Sequence, residues 1–272
     1  MPDEPPHAVA HVVANAYNHL GAEFDAMVAK TPFLINCTLL YNLCLEAFTK
    51  GPPLLRVLDV GCGSGVQSTY LAPYANEVVG VDLSDKLIEI AKERCKEYSH
   101  AQFQVGDACK LPFSDQSFDF IISYGDVVSH IVEGYEQAVS EMARVAKSGA
   151  RVTFEVDTKW NFGIFYHPME LLDAMAVRGI GHATREWEGM RFKTFTYGEI
   201  KSLLEKNQLD IVCCRGHNIL ASLIPDRFLL EKGTRTLMGK LALLLGEIDL
   251  RLSGIYPFNR FGFNFIITAK KR

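Results

Sequence analysis

The sequence predicts an α/β protein built on a mostly parallel sheet, and three observations carry that prediction. Between Leu54 and Asp157, short runs rich in β-branched residues alternate with stretches of helical periodicity, the pattern of βαβ units around a parallel sheet. The first of these runs breaks at "VLDVGCGSG", residues 57–65, where Gly61, Gly63 and Gly65 directly follow an apolar strand. The chain of 272 residues, 48% hydrophobic and 22% charged, has ordinary globular composition and enough apolar material for one large core.

The pattern then places each element in turn. Residues 8–50 read as helical and end at "KGPP", where Pro52 and Pro53 stop any helix. Strands are expected over 55–60, 77–83, 101–106, 118–124 and 150–157. A helix should start at Ser84 or Asp85, with Leu87, Ile88, Ala91 and Cys95 on its inner face. A second helix runs from Glu133 to Lys147 and should end with Gly149 near its C-cap. Residues 158–196 are irregular and aromatic, with a helix expected over 168–177. Beyond them "TYGEIKSLLEKNQ" reads as helix, "LDIVCCRGHNIL" as strand and "FGFNFIITAK" as a closing strand. In a long helix after Pro225, Leu237, Leu241, Leu244, Leu245, Ile248 and Leu252 mark one stripe, expected to pack on the sheet. A homodimer contact and an apolar substrate lid are the alternatives for it. Three regions follow: an N-terminal helical cover (1–50), a main domain (51–272), and within it an insertion (158–196) expected to line a substrate chamber.

Composition narrows the partners. A formal net charge of −4 argues against nucleic acid, whose binding rests on clustered Lys and Arg. Seven cysteines, at 37, 44, 62, 95, 109, 213 and 214, have no paired C-x-x-C spacing, so a metal site is not expected and buried reduced thiols in a cytoplasmic protein are. The acidic, Pro-rich start lacks the basic and apolar regions of a signal peptide. The apolar run "LALLLG" is far too short to span a bilayer.

The glycine loop points to a ligand. In open parallel sheets, ligands sit beyond the carboxyl ends of the strands, and three alternating glycines there clear Cβ atoms from its path. A phosphate-binding P-loop would need Lys and Ser or Thr after the last glycine, and "GVQST" has no Lys. A dinucleotide loop would need a third glycine where Val66 stands. An adenosine ligand without a pyrophosphate remains, its ribose hydroxyls held by an acid at the end of the second strand. Asp82 in "VVGVDLS", 21 residues beyond Gly61, is that acid.

These motifs together resemble the class I S-adenosylmethionine-dependent methyltransferases. "VLDVGCGSG" is similar to the family's first motif, "VVGVDLS" to its second-strand acid, "QVGDACKLPFSDQSFDFIIS" to its third and fourth strands, and "EMARVAKSGARVTFEV" to its helix and fifth strand. The resemblance implies a Rossmann-like seven-stranded sheet in the order 3-2-1-4-5-7-6, with the seventh strand antiparallel. It implies S-adenosyl-L-methionine as cofactor. Gly61 and Gly63 would approach the methionine moiety, which Asp59 orients, with Cys62 and Gly65 also on the cofactor side. Asp82 with Leu83 would meet the ribose, Asp107 and Ala108 the adenine, and the carbonyl near Ser123 the amino group. "AYNHLGAEFDAM" is similar to the opening of small-molecule methyltransferases, with Asn18 in place of an acid, and adds Tyr17 to the cofactor side.

Methyl transfer from a sulfonium is an in-line displacement, so positioning supplies much of the rate and acid or base machinery is sparse. "SYGDVVSH" after the fourth strand holds the candidates: His130 as a base near its reference pKa of about 6.5, Asp126 as a base or orienting group, and Tyr124 facing the methyl. Trp160, Phe162, Phe165, Tyr166 and His167 suggest an apolar or aromatic small-molecule acceptor. The alternatives are an RNA or protein methyltransferase, a nucleotide-dependent oxidoreductase, and a non-catalytic cofactor sensor.

Overall fold

In a computed structural model, described for residues 13–18, 30–51, 54–166, 184–187, 190–225, 228–229 and 234–272, seven strands form one sheet. They are β1 (Leu54–Val60), β2 (Ala75–Asp82), β3 (Ala101–Val105), β4 (Phe118–Ser123), β5 (Ala146–Asp157), β8 (Leu209–His217) and β9 (Asn264–Lys271). Their order is β3-β2-β1-β4-β5-β9-β8, while β6 (Thr184–Trp187) and β7 (Met190–Lys193) pair separately. The first five strands run parallel, and β9 is antiparallel to both β5 and β8. Counted along the main sheet alone, this is the expected 3-2-1-4-5-7-6.

The alternation of side chains along β1 builds two cores. Leu58 and Val60 join Val79, Val81, Ile121 and Val152 under α6 (Tyr135–Val145) and α7 (Tyr197–Lys206). Val57 faces the other way, with Val78, Phe120 and Ile122, under α2 (Pro32–Thr49) and the end of α3 (Val66–Leu71). α2 thus shares a core with the sheet. Behind the glycine loop, α4 (Asp85–Arg94) buries Ile88 and Ala91 against Cys62 and Phe103. Ser84 caps α4, its Oγ accepting the Leu87 N–H at 3.1 Å. Thr196 and Glu199 form a reciprocal capping box on α7. No described helix is long and apolar enough to cross a membrane.

The structure makes one expectation finer and corrects two. Within the helical region 8–50, α1 covers 13–18 and α2 starts at Pro32 behind its N-cap Thr31, because proline suits the first helical turn and no later one. The helix before β5 ends at Val145, and Ala146 already pairs with Phe118. Gly149, with φ +82°, sits inside β5 near the shift in pairing between Phe118 and Phe120 and caps no helix. The other correction concerns α8 (Leu237–Leu252). Most of its leucine stripe faces outward, with Leu237 78% and Leu244 55% exposed, while Leu245 packs against Ala221, Ile224 and Ala242, and Gly239, Ala242, Gly246 and Asp249 are buried. The helix expected over 168–177 lies outside the described residues.

The reason for this second correction is close packing. A Cβ on Gly246 would lie 2.1–2.3 Å from the Asn36 amide of α2, and that amide donates to Asn218 Oδ1 at 2.9 Å. Asp249, on the same face, accepts the backbone N–H groups of Leu220 and Ala221 at 2.8 and 3.1 Å. Small residues and a buried acceptor therefore fix the inner side of α8. We expect Gly246→Ala to destabilise the protein by about 1–3 kcal/mol through overpacking, read as a lowered denaturant midpoint with an unchanged slope.

Candidate active site

The glycine loop is shaped by β1 and β2 together. As β1 ends, Gly61 and Cys62 both donate to the Val81 carbonyl, at 2.7 and 3.1 Å, turning the chain away from the sheet. Gly61, Gly63 and Gly65 all have positive φ, +70°, +50° and +79°. Their surroundings differ. A Cβ on Gly61 would strike Val127 Cγ2 at 2.2 Å, whereas a Cβ on Gly63 would meet no heavy atom within 4 Å. Gly61 is therefore fixed by packing, and Gly63 borders open space where a ligand can approach the backbone.

One carboxylate holds this loop and a second ties β1 to the helix that follows it. Asp82 Oδ2 accepts the Gly63 N–H and Oδ1 the Ser84 N–H, both at 2.8 Å. Burial raises the Asp82 pKa against these stabilising hydrogen bonds. Asp59 is buried and accepts from the Ser68 hydroxyl at 2.7 Å, and burial pushes it up to about 7. Beyond β3, Asp107 Oδ1 accepts the Cys109 N–H at 2.8 Å beside the buried Ala108. Over the loop, α1 contributes Asn18, which accepts a hydrogen bond from the Ser84 hydroxyl; Leu83 lies between that serine and Asp82.

At the carboxyl end of β4, Ser123 is fully buried and the chain passes through two left-handed residues, Gly125 (φ +78°) and Asp126 (φ +58°), into the short helix α5 (Val127–His130). Asp126 Oδ1 accepts from Asn264 Nδ2 at 2.8 Å, and the same amide lies 3.4 Å from Asp157 Oδ1. Burial raises the Asp126 pKa. His130 Nε2 lies 3.3 Å from the Tyr17 hydroxyl, and its ring meets Tyr17 and Phe192 edge-on at 5.9 and 6.0 Å. Burial lowers His130 to about 4, so the ring is neutral near pH 7. The Tyr17 pKa is raised, first by burial and then by Asp126, Asp82 and Asp157.

Asp59, Asp82, Asp126 and His130 thus stand at the carboxyl ends of β1, β2 and β4, with one predicted residue placed differently from expectation. The Tyr124 ring stacks on Tyr41 at 4.6 Å within the core under α2, on the side of the sheet to which Val57 points. In the insertion, Trp160, Phe165 and Tyr166 are exposed and Phe162 packs on Phe261 at 4.7 Å; His167 lies outside the described residues. Sequence reading missed Asn264, Asp157, Glu155 and Phe192. A signal existed for two of them: Glu155 is a carboxylate within the apolar run "VTFEV", and Asn264 is an amide within "FNFII".

A sheet in this order with its last strand reversed, a glycine turn after β1 and an acid after β2 define a Rossmann-like nucleoside-binding protein. Residues 58–154 match the methyltransferase domain family. Over these residues, and in the order of its sheet, the chain is similar to the class I S-adenosylmethionine-dependent methyltransferases. It is 38% identical over 98 residues to the uncharacterized methyltransferase YcgJ of Bacillus subtilis, covering 35% of this chain and 38% of that protein. It is 29% identical over 163 residues to a demethylmenaquinone methyltransferase of Staphylococcus aureus, covering 56% of this chain and 66% of that one. The matched segments therefore span less than two thirds of these curated relatives. Geranyl diphosphate C-methyltransferase of Streptomyces coelicolor shares the fold, with a TM-score of 0.57 and 14% identity over 86% of this chain and 77% of its own.

The residues present fit the family's cofactor, S-adenosyl-L-methionine. The open space beside Gly63 and the Asp82 carboxylate at its edge are what an adenosyl ligand requires.

Proposed function

We propose that this chain transfers a methyl group from S-adenosylmethionine to a small apolar or aromatic acceptor by in-line displacement. The observation that carries this reading is the roof over the strand ends: α1 reaches down to Ser84 and His130 while Phe192 closes on His130 from the β6–β7 side. A cover of that kind suits a small acceptor held away from water. Two similar proteins are named for small organic acceptors, demethylmenaquinone and geranyl diphosphate, which supports the same class here. The formal charge of −4 argues against a nucleic-acid acceptor, whose binding rests on clustered Lys and Arg. Seven free cysteines support a reducing, cytoplasmic setting.

The bound cofactor supplies an electrophilic methyl on a sulfonium. The chain's part is to hold and to orient. Asp82, beside Leu83, would take the ribose hydroxyls, with Asp107 and Ala108 beside the adenine. Gly61, Cys62, Gly63 and Gly65 would line the methionine moiety under Tyr17, oriented by Asp59 and by the carbonyl of Ser123. At the acceptor, a raised pKa makes Asp126 a better proton acceptor near pH 7 than His130, whose lowered pKa leaves it a weak base. His130 and Tyr17 then orient the acceptor and keep water out. The test is turnover of labelled S-adenosylmethionine with three acceptor panels: apolar phenols and quinols, RNA, and protein. Label in the first panel alone is the expected result, and label in RNA or protein alone would overturn it.

A further inference from the structure

Behind Gly125, three side chains from three separate elements converge in the interior: Cys37 of α2, Glu155 of β5 and His217 of β8, all buried. Their potential ligand atoms lie within 4.8 Å of one another. Cys37 Sγ is 3.7 Å from His217 Nδ1, and His217 Nδ1 is 3.7 Å from Glu155 Oε1. The first is within reach of a weak sulfur hydrogen bond, but an imidazole–carboxylate hydrogen bond would bring the second pair to about 2.7–3.2 Å. Both separations approach the edges of a tetrahedron round Zn²⁺, which bond lengths of about 2.3 Å to sulfur and 2.0–2.1 Å to nitrogen and oxygen set at about 3.3–3.6 Å.

The polar groups round the cluster agree with that geometry. Glu155 Oε2 is occupied, accepting from the Tyr41 hydroxyl and from the Gly125 N–H at 3.0 Å, while Oε1, the atom facing His217, is buried without a hydrogen-bond partner. The Asn218 amide points at Cys37 Sγ from 3.9 Å. Two of the three prospective ligands therefore already have outer partners that would orient them. Charge also balances: one thiolate, one carboxylate and a neutral imidazole cancel a divalent cation, so the occupied site would be neutral in an apolar interior. Linear motifs give no warning, since the ligands come from distant parts of the chain.

We propose that Cys37, Glu155 and His217 form a site for a divalent transition metal of the zinc class, tying α2 to the ends of β5 and β8. Sulfur, nitrogen and one carboxylate oxygen select such a metal over Mg²⁺ or Ca²⁺. Three protein ligands leave one tetrahedral position for a solvent or acceptor oxygen. Binding releases the thiol proton of Cys37 and any proton on Glu155 to solvent, with no redox change.

The test uses the full chain, stripped with a chelator and titrated with Co²⁺. One Co²⁺ per chain, with a thiolate-to-cobalt charge-transfer band that Zn²⁺ abolishes by displacement, is the expected result. In Cys37→Ala the band should vanish and affinity should fall by at least about 100-fold, since even groups outside the ligand shell are worth 10–100-fold. Retained binding of S-adenosylhomocysteine would show that this variant folds. X-ray absorption on the wild-type zinc form makes the second test, with one sulfur expected at about 2.3 Å. Absence of stoichiometric binding, or a zinc shell without sulfur, would overturn the site and leave the methyl-transfer reading untouched.

Discussion

Replacing Asp82 by alanine should weaken binding of S-adenosylhomocysteine by about 10- to 100-fold. Hydrogen bonds to a charged group are worth about 1.5–3 kcal/mol, and each 1.4 kcal/mol is tenfold in affinity. Asp82 has two tasks that the substitution removes at once. Its carboxylate stands at the edge of the open space beside Gly63, and it also accepts the Gly63 N–H at 2.8 Å. Losing that acceptor frees the loop as well as the ligand. Asp82→Asn removes the charge but leaves an amide oxygen that can still accept from Gly63, at the cost of the Ser84 N–H that the other carboxylate oxygen accepts; its loss should be smaller. Isothermal titration of wild type and both variants checks the order. Equal dissociation constants in all three would remove Asp82 from the cofactor site.

The same residues show how far the sequence could be read. Strand limits followed from β-branched runs, and the ligand end of the sheet from the three glycines, because both signals are local. The sequence places the end of the helix before β5 too late because Gly149 is a natural helix stop by composition; the pairing of Ala146 with Phe118 shows that the chain is already a strand there. In α8 the leucine period does mark a stripe, but most of that stripe lies on the outer side. Period alone does not choose between a large-residue face and a neighbouring small-residue face. The choice is made by Asn36, against which Gly246 packs with no room for a Cβ.

The site divides in the same way. Asp59, Asp82 and the loop lie within 30 residues and belong to one βαβ unit, so their chemistry is visible in the linear order. Asn264, Glu155, His217 and Cys37 come from four elements that only the sheet topology brings together. Tyr124 illustrates the converse. Proximity in sequence to Asp126 suggested the cleft, yet alternation along β4 sends its ring into the core beside Tyr41.

Asp126→Asn should lower kcat by about 10²- to 10⁴-fold, the usual contribution of a positioned general base, while cofactor affinity stays unchanged. The substitution is chosen to spare the backbone. Asp126 has φ +58°, a conformation asparagine shares with little cost, and an amide oxygen can still accept from Asn264, now at 2.8 Å. What disappears is the proton acceptor. Because burial raises the Asp126 pKa, the protonated, inactive form persists to higher pH than the ordinary aspartate value of about 3.9. Activity should therefore be present above the raised pKa and fall as pH drops through it, by tenfold per unit on the acid side. His130, lowered to about 4 by burial, stays neutral through most of that range and adds no inflection of its own near neutrality. In Asp126→Asn the residual rate should lose the acid limb, and in His130→Ala the limb should remain on a reduced rate. A variant at position 126 that kept both the wild-type kcat and the wild-type pH profile would show that the acceptor's proton leaves by another route.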